Sequence, residues 1–464
     1  MSQDYRIERD ALGEVRVPSA AYYGAETVRA AENFRISERR PRPGVIRALA
    51  WVKIAAARAN ASVGALDAEL ADAIARAGQE VARGELADQF LVDPYQGGAG
   101  TSTHMNVNEV LASRAEELLG VDPGLRGRHT RVHPNDHVNM GQSSNDVVPT
   151  AVRIAVFVRL ADLLASLDAL IRELDAKADE FAGVVKSGRT HLQDAVPITL
   201  GKEFHAFAEM LRRTRNRLEQ TGKERVARVP LGGTANGTGF GAAPGYREAV
   251  LPLLAEVSGV PVFGADDLVE AVRSHGDLGE FAAAMKAVAI ALAQICNDLR
   301  MLAMGPRTGL AEIRLPEVLP GSSIMPGKVN PSIVEMVNMV CMRVAGAEHT
   351  VAAAVEAGQL DMTVMTPVIA DELLEVEHLM DRACATLAER CVRGITADED
   401  RCREYAWASL GLATALRPLV GYERAADIAT RAFREGRTVR QIAEEEGVAS
   451  AAELDEALNP ARYA

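Results

Sequence analysis

The string GSSIMPGKVNP, residues 321–331, sets two adjacent hydroxyls, Ser322 and Ser323, beside one cation, Lys328, and one amide, Asn330. Its Gly and Pro residues interrupt regular structure throughout, so these side chains belong to a pliable segment. Hydroxyl, ammonium and amide groups are donors suited to carboxylate or phosphate oxygens. Met325 lies on the same segment and is a candidate for specificity. Two further breaks share the design. GAGTST carries Thr101 ahead of a helix expected from near Met105, and GQSSNDVVP carries Ser143, Ser144 and Asn145, with Pro149 near the first turn of a helix expected over 150–180. GKVNP places Asn330 as the expected N-cap and Pro331 at the first helical position. A helix N-terminus offers unpaired N–H groups and a partial positive charge, which attract anions. A single N-terminal hydroxyl is ordinary, but three such clusters and a loop lysine point to an anion site.

A fourth segment, GRTHLQDAVP (188–197), holds Thr190 and His191 in what reads as a loop between helices. A lone histidine is more often structural than catalytic. Glu335, on the first turns of the helix after Pro331, is however in reach of such a histidine, and a carboxylate partner fixes its tautomer or tunes its pKa. The glycines of LGGTANGTGFG (231–241) lack the preceding strand and following helix of a nucleotide cradle, so this segment reads as a structural turn. No HExxH, Cys/His cluster or paired-carboxylate motif suggests a metal site. The sequence therefore calls for no cofactor and no metal.

Long amphipathic elements must hold these segments. Leu160, Leu163, Leu164, Leu167, Leu170, Ile171 and Leu174 form one apolar stripe, and Met285, Val288, Leu292, Ile295, Leu299 and Leu302 another. Val334, Val337, Cys341 and Val344 begin a third. Spacings of three and four are those of bundle helices, and helices this long and apolar predict burial on several sides, through oligomerisation. The first twenty residues read as a hairpin around Gly13, and residues 45–83 as helical. TVRQIAEEEGVASAAELDEAL, which could pass for a DNA-reading helix-turn-helix, carries acid where such a reader needs Lys or Arg. It reads as part of a small helical cap. The expected organisation is mainly α with three domains: a mixed, mostly helical domain over 1–141, a central bundle over 142–395 bearing the 321–331 loop, and a small helical domain over 396–464.

The chain has 464 residues, 48% hydrophobic and 25% charged, with a net charge of −13. That balance suits a large core and disfavours nucleic acid and anionic membrane as partners. Five scattered cysteines without a CxxC read as reduced thiols of a cytoplasmic protein. No apolar core of a signal peptide opens MSQDYRIERD, and no uninterrupted apolar run reaches about 18 residues.

GSSIMPGKVNP resembles the signature of the fumarase/aspartase superfamily. HPNDHVN, QSSND, GRTHLQDAVPITLG and NDLRMLAMGPRTGL are similar to family segments in family order, over essentially the whole chain. The resemblance implies a reversible elimination from a succinyl skeleton, and a homotetramer with a twenty-helix central bundle and active sites shared between subunits. It implies Ser322 as the general base. Thr101, Ser143, Ser144 and Ser323 would hold the carboxylate that becomes enediolate-like, and Thr190, Lys328 and Asn330 the other carboxylate. Asn145 and His191 would lie near the leaving group, with Glu335 paired to His191. AYYGAETVRA, DQFLVDPYQGGAGTST, EAGQLDMTVMTPVI and GITADED look like the aspartase branch, which implies ammonia release from L-aspartate to give fumarate. A class II fumarate hydratase, or a divergent lyase acting on a substituted aspartate or other succinyl compound, is the alternative. Departures from the family pattern bear on that choice: His104 stands where Asn is usual, Thr363 where Asn is usual, Thr366 where Glu or Arg is usual, and Gly141 where Ser or Cys is usual. Thr130 stands where an Arg is expected, which weakens a second anion site around HPND.

Overall fold

The first expected element forms as read: Tyr5–Asp10 pairs antiparallel with Gly13–Pro18. The computed structural model describes residues 4–464, so residues 1–3 of the expected hairpin segment lie outside the described residues. Helix accounts for 63% of the chain, in line with the mainly α expectation. Five long helices dominate: Ser144–Glu180, Leu200–Thr221, Gly276–Leu302, Ser332–Glu356 and Thr366–Arg390. Their apolar stripes explain why. Leu160, Leu163, Leu167, Leu170, Ile171 and Leu174 are buried, as are all six residues of the Met285–Leu302 stripe and Val334, Val337, Cys341 and Val344. Burying each such side chain contributes about 1.5–3 kcal/mol, well above helix propensity alone. The Gly276–Leu302 helix is long and apolar enough to cross a membrane by length and composition, and 56% of its apolar window is buried inside the chain. That burial suits a core helix.

The fold divides into two compact units, each drawn from three stretches of chain. One comprises Met1–Leu164, Asn216–Ala287 and Met342–Met380. It contains the Pro43–Ser62, Ala68–Ala82 and Thr101–Leu118 helices. The buried Glu109 carboxylate accepts from the N–H groups of Gly24, Glu26 and Thr27 and from the Thr27 hydroxyl. It thereby supplies the missing cap of the Ala25–Asn33 helix.

The other unit comprises Ala165–Arg215, Val288–Cys341 and Asp381–Ala464. Its C-terminal helices, Arg417–Glu435, Val439–Glu445 and Ala451–Ala457, close over Leu416, Ile428, Ile442, Leu454 and Leu458. The last two begin with capping boxes, Thr438 with Gln441 and Ser450 with Glu453. In this unit the segment read as a loop around Thr190 is instead a hairpin, Val185–Thr190 paired with Gln193–Thr199. Its turn, His191–Leu192, has both residues at positive φ, 55° and 58°. That backbone matches the twist of the flanking strands, but without Gly or Asn it leaves no turn signal in the sequence. All five cysteines are free and buried, and burial pushes the Cys341 thiol up to about 11 and that of Cys391 to about 12.

Candidate active site

The 321–331 loop is anchored at its two ends. The Asn330 side-chain amide donates to the Gly321 carbonyl, and its oxygen accepts from Lys328 Nζ at 2.9 Å. Asn330 is therefore a clamp across the loop; its oxygen accepts from Lys328 rather than from helix N–H groups, so the expected side-chain cap does not form. The helix begins at Ser332, one residue beyond Pro331. Within the clamp, Ser322 Oγ accepts two backbone N–H bonds, from Met325 at 2.8 Å and Ile324 at 3.3 Å. Residues 323–329 are exposed, while Ser322 and Glu335 are half-buried. A cavity of about 1050 Å³ in this unit is lined by Lys328, Asn330 and Glu335 together with Arg300 and Arg307. Its surplus of cations suits an anion.

The hairpin presents Thr190 and His191, both exposed, at its tip. Its base is fixed by buried charge. Lys186 Nζ reaches Glu203 at 2.8 Å and Glu312 at 3.2 Å, and Arg189 donates to both Glu312 oxygens. Gly188 marks an irregularity in the ladder, where a Cβ would lie 2.6 Å from the Val196 carbonyl oxygen. Ser409 and Leu410 donate to Ala195 O and Asp194 Oδ2 and fasten the second strand. A tip with two non-glycine residues in the left-handed region, held by a buried network, is strain of the kind found at functional sites. Among the described residues, no hydrogen bond or ion pair joins His191 to Glu335.

The first unit brings two helix starts together. The Thr101–Leu118 helix begins at Thr101, four residues before the expected Met105, and the Ser144–Glu180 helix begins at Ser144, with Pro149 inside it. Gly100, at φ 90°, abuts Val148: a Cβ there would sit 2.8 Å from the valine side chain. Only glycine allows that approach. Ser143 Oγ accepts from Asn145 N, and Ser143 N donates to Asp146 Oδ1, so the serine caps the helix start. Asp146 Oδ2 accepts from Gly232 N and Thr234 N, and Asn145 Nδ2 donates to Ala235 O. The glycine-rich 231–241 segment is thus a structural turn docked on this helix start. Thr101 is exposed and its hydroxyl donates to Gly98 O at 2.6 Å, so it must rotate to serve a substrate.

Behind these hydroxyls lies a buried polar nest. His104 Nδ1 is 2.8 Å from Ser144 Oγ. Lys53 Nζ donates to Asn139 Oδ1 and Gln142 Oε1, each at 2.9 Å. Burial, and then the Lys53 charge, hold His104 well below the ordinary imidazole range. Burial lowers Lys53 as well, against the pull of Asp146. Burial raises Asp146 to about 6, against its three backbone N–H bonds and Lys53. Lys53 and Asp146 escaped the sequence reading, although a lysine inside the apolar run WVKIAAA was a signal. Thr363 is buried and donates to Arg273 O, and Thr366 donates to Thr363 O and lies 2.9 Å from His275 Nε2. These two departures tie a loop down inside the unit.

Comparison with known proteins gives the chain's relatives. A family described as Lyase matches residues 13–346, and one described as Fumarase C C-terminus matches residues 412–462. An aspartate ammonia-lyase from a Bacillus species is 46% identical over 460 residues, 99% of this chain and 97% of that one. Another, from Pseudomonas aeruginosa, is 48% identical over 98% of this chain and 96% of that one. Among solved structures, a fumarate lyase:delta crystallin from Brucella melitensis bound to cobalt matches with a TM-score of 0.95 at 48% identity, covering 99% of each chain. A class II fumarase from Schistosoma mansoni matches with a TM-score of 0.96 at 35% identity, again over 99% of each.

Proposed function

The chain belongs to the lyase family that includes fumarases and aspartases, and on that footing we propose that it is a carbon–nitrogen lyase, eliminating ammonia reversibly from L-aspartate to give fumarate. The observation that carries the mechanism is the pair of backbone N–H groups on Ser322 Oγ. A serine hydroxyl is a poor base at neutral pH. Donors already aimed at its oxygen stabilise the alkoxide, as an oxyanion hole stabilises developing charge.

In this reading Ser322 removes the Cβ proton of aspartate. The adjacent carboxylate takes up the charge as an enediolate-like dianion, held by Thr101, Ser143, Ser144 and Ser323. The two helix N-termini that carry Thr101 and Ser144 favour that anion electrostatically. Thr190, Lys328 and Asn330 hold the other carboxylate. Expulsion of the amine then gives fumarate, with Asn145 and His191 beside the leaving group. Closure of the Gly/Pro-rich loop expels water, strengthening these interactions.

The working form is a homotetramer whose subunits share sites. Ile290, Met339 and Met342 support it, since they are large, apolar and exposed on long helices of a single chain. His191 and Glu335 then find each other across subunits. We further read the chain as three domains, 1–141, 142–395 and 396–464, and as a cytoplasmic enzyme of small dicarboxylates. Incubating the protein with L-aspartate and following fumarate absorbance and free ammonia tests the reaction. Equimolar appearance of both is expected, and appearance of neither overturns the assignment.

A further inference from the structure

Behind Ser144, His104 is fully buried, with Nδ1 2.8 Å from Ser144 Oγ and with Nε2 lacking any hydrogen-bond partner. The charged group that acts on it is Lys53, which in turn faces Asp146 on the neighbouring helix. Burial and Lys53 keep the ring neutral, so one ring nitrogen carries a hydrogen and the other is bare.

The two tautomers give Ser144 opposite roles. With the hydrogen on Nε2, a buried N–H is left without an acceptor. Ser144 must then spend its own hydrogen on Nδ1, and only its lone pairs remain for substrate. With the hydrogen on Nδ1, the ring donates to Ser144 Oγ and Nε2 is left as a bare lone pair. Buried N–H groups without acceptors are rare and costly.

We infer that His104 is a positioning residue which donates Nδ1–H to Ser144 Oγ and so turns the Ser144 hydrogen outward, committing that hydroxyl to donate to a substrate carboxylate oxygen. This rests on the assignment of Ser144 to the carboxylate in the proposed function. The hydroxyl is thereby oriented before substrate arrives, a form of electrostatic preorganisation.

Neutron diffraction of the native protein reads the tautomer directly and needs no turnover, so it stands even if aspartate is not the substrate. Deuterium on His104 Nδ1 is expected; deuterium on Nε2 overturns the inference. Kinetics give a second arm. His104→Asn keeps an N–H donor at the same place on the side chain and should hold kcat/KM within about threefold, whereas His104→Leu should lower it about tenfold, the scale of one hydrogen bond. His104→Leu in a Ser144→Ala background should add little to the loss, because the two act as a unit. Full additivity, or an Asn variant as impaired as the Leu variant, contradicts the role.

Discussion

At the start of the Ser144–Glu180 helix the polar groups are buried and engaged with one another. Asp146 accepts three backbone N–H bonds, Lys53 spends itself on two amide oxygens, and His104 reaches Ser144. The 321–331 loop is the reverse: mostly exposed, with a clamp at Asn330 and two N–H bonds on Ser322. In the proposed mechanism the first region is a fixed mould for an anion, its cost of ordering met by folding. In the same mechanism the second keeps its exposed donors for substrate, and its two N–H bonds hold the Ser322 oxygen proposed as the base. Both regions thus bind carboxylate in the proposed mechanism, and proton removal falls to the loop alone, so the two parts differ in mechanical character.

The sharpest break in that contrast is Ser322→Ala. Removal of the base should lower kcat by about 10³-fold or more while the protein stays folded, since several kcal/mol of barrier are at stake. Unchanged turnover by the fumarate absorbance assay ends the serine-base mechanism. Asn330→Ala releases both Gly321 and Lys328, and it should lower kcat/KM by about 10²-fold with little change in melting temperature. Loss of stability instead would make the clamp a folding element.

Glu312→Gln sharpens the comparison from the other side. Arg189 would lose its carboxylate partner under the Thr190–His191 tip, while Lys186 keeps Glu203, and breaking a buried pair costs about 3–5 kcal/mol, readable by urea unfolding. A null effect would mean that the hairpin is held by its strands alone.

Asp146 ties the nest to pH. Its folded pKa, about 6, lies above its ordinary 3.8, so between those values the folded protein holds a proton that the unfolded chain releases. Its contribution therefore favours folding most below about 3.8, declines as pH rises to about 6 and is flat beyond. Asp146→Asn should flatten the stability slope between about pH 4 and 6, and an unchanged slope contradicts the shift. The smallest effect is expected at the turn: Leu192→Gly removes the left-handed strain of an exposed residue and should stabilise the protein by up to about 1 kcal/mol in thermal unfolding.

Much of the loop was legible because its chemistry is written in residue type: adjacent serines, one lysine and one asparagine among helix breakers. The long helices were legible because a stripe such as Leu160–Leu174 follows from periodicity alone. The hairpin was not, since His191–Leu192 adopts a turn that usually announces itself with Asn-Gly. Asn330 has the residue type of a cap, yet its amide closes the loop, a choice set by where Gly321 comes to rest. The nest depends on contacts from Lys53 to Asn139 and Gln142, across more than eighty residues, and no local pattern reports such a meeting.

The most direct test of the central claim is a single reaction run in two buffers. The protein is incubated with fumarate, with and without high ammonium, and the product identified by NMR. Aspartate formed only when ammonium is present is the predicted result. Malate formed in both buffers would contradict it, marking the chain as a hydratase.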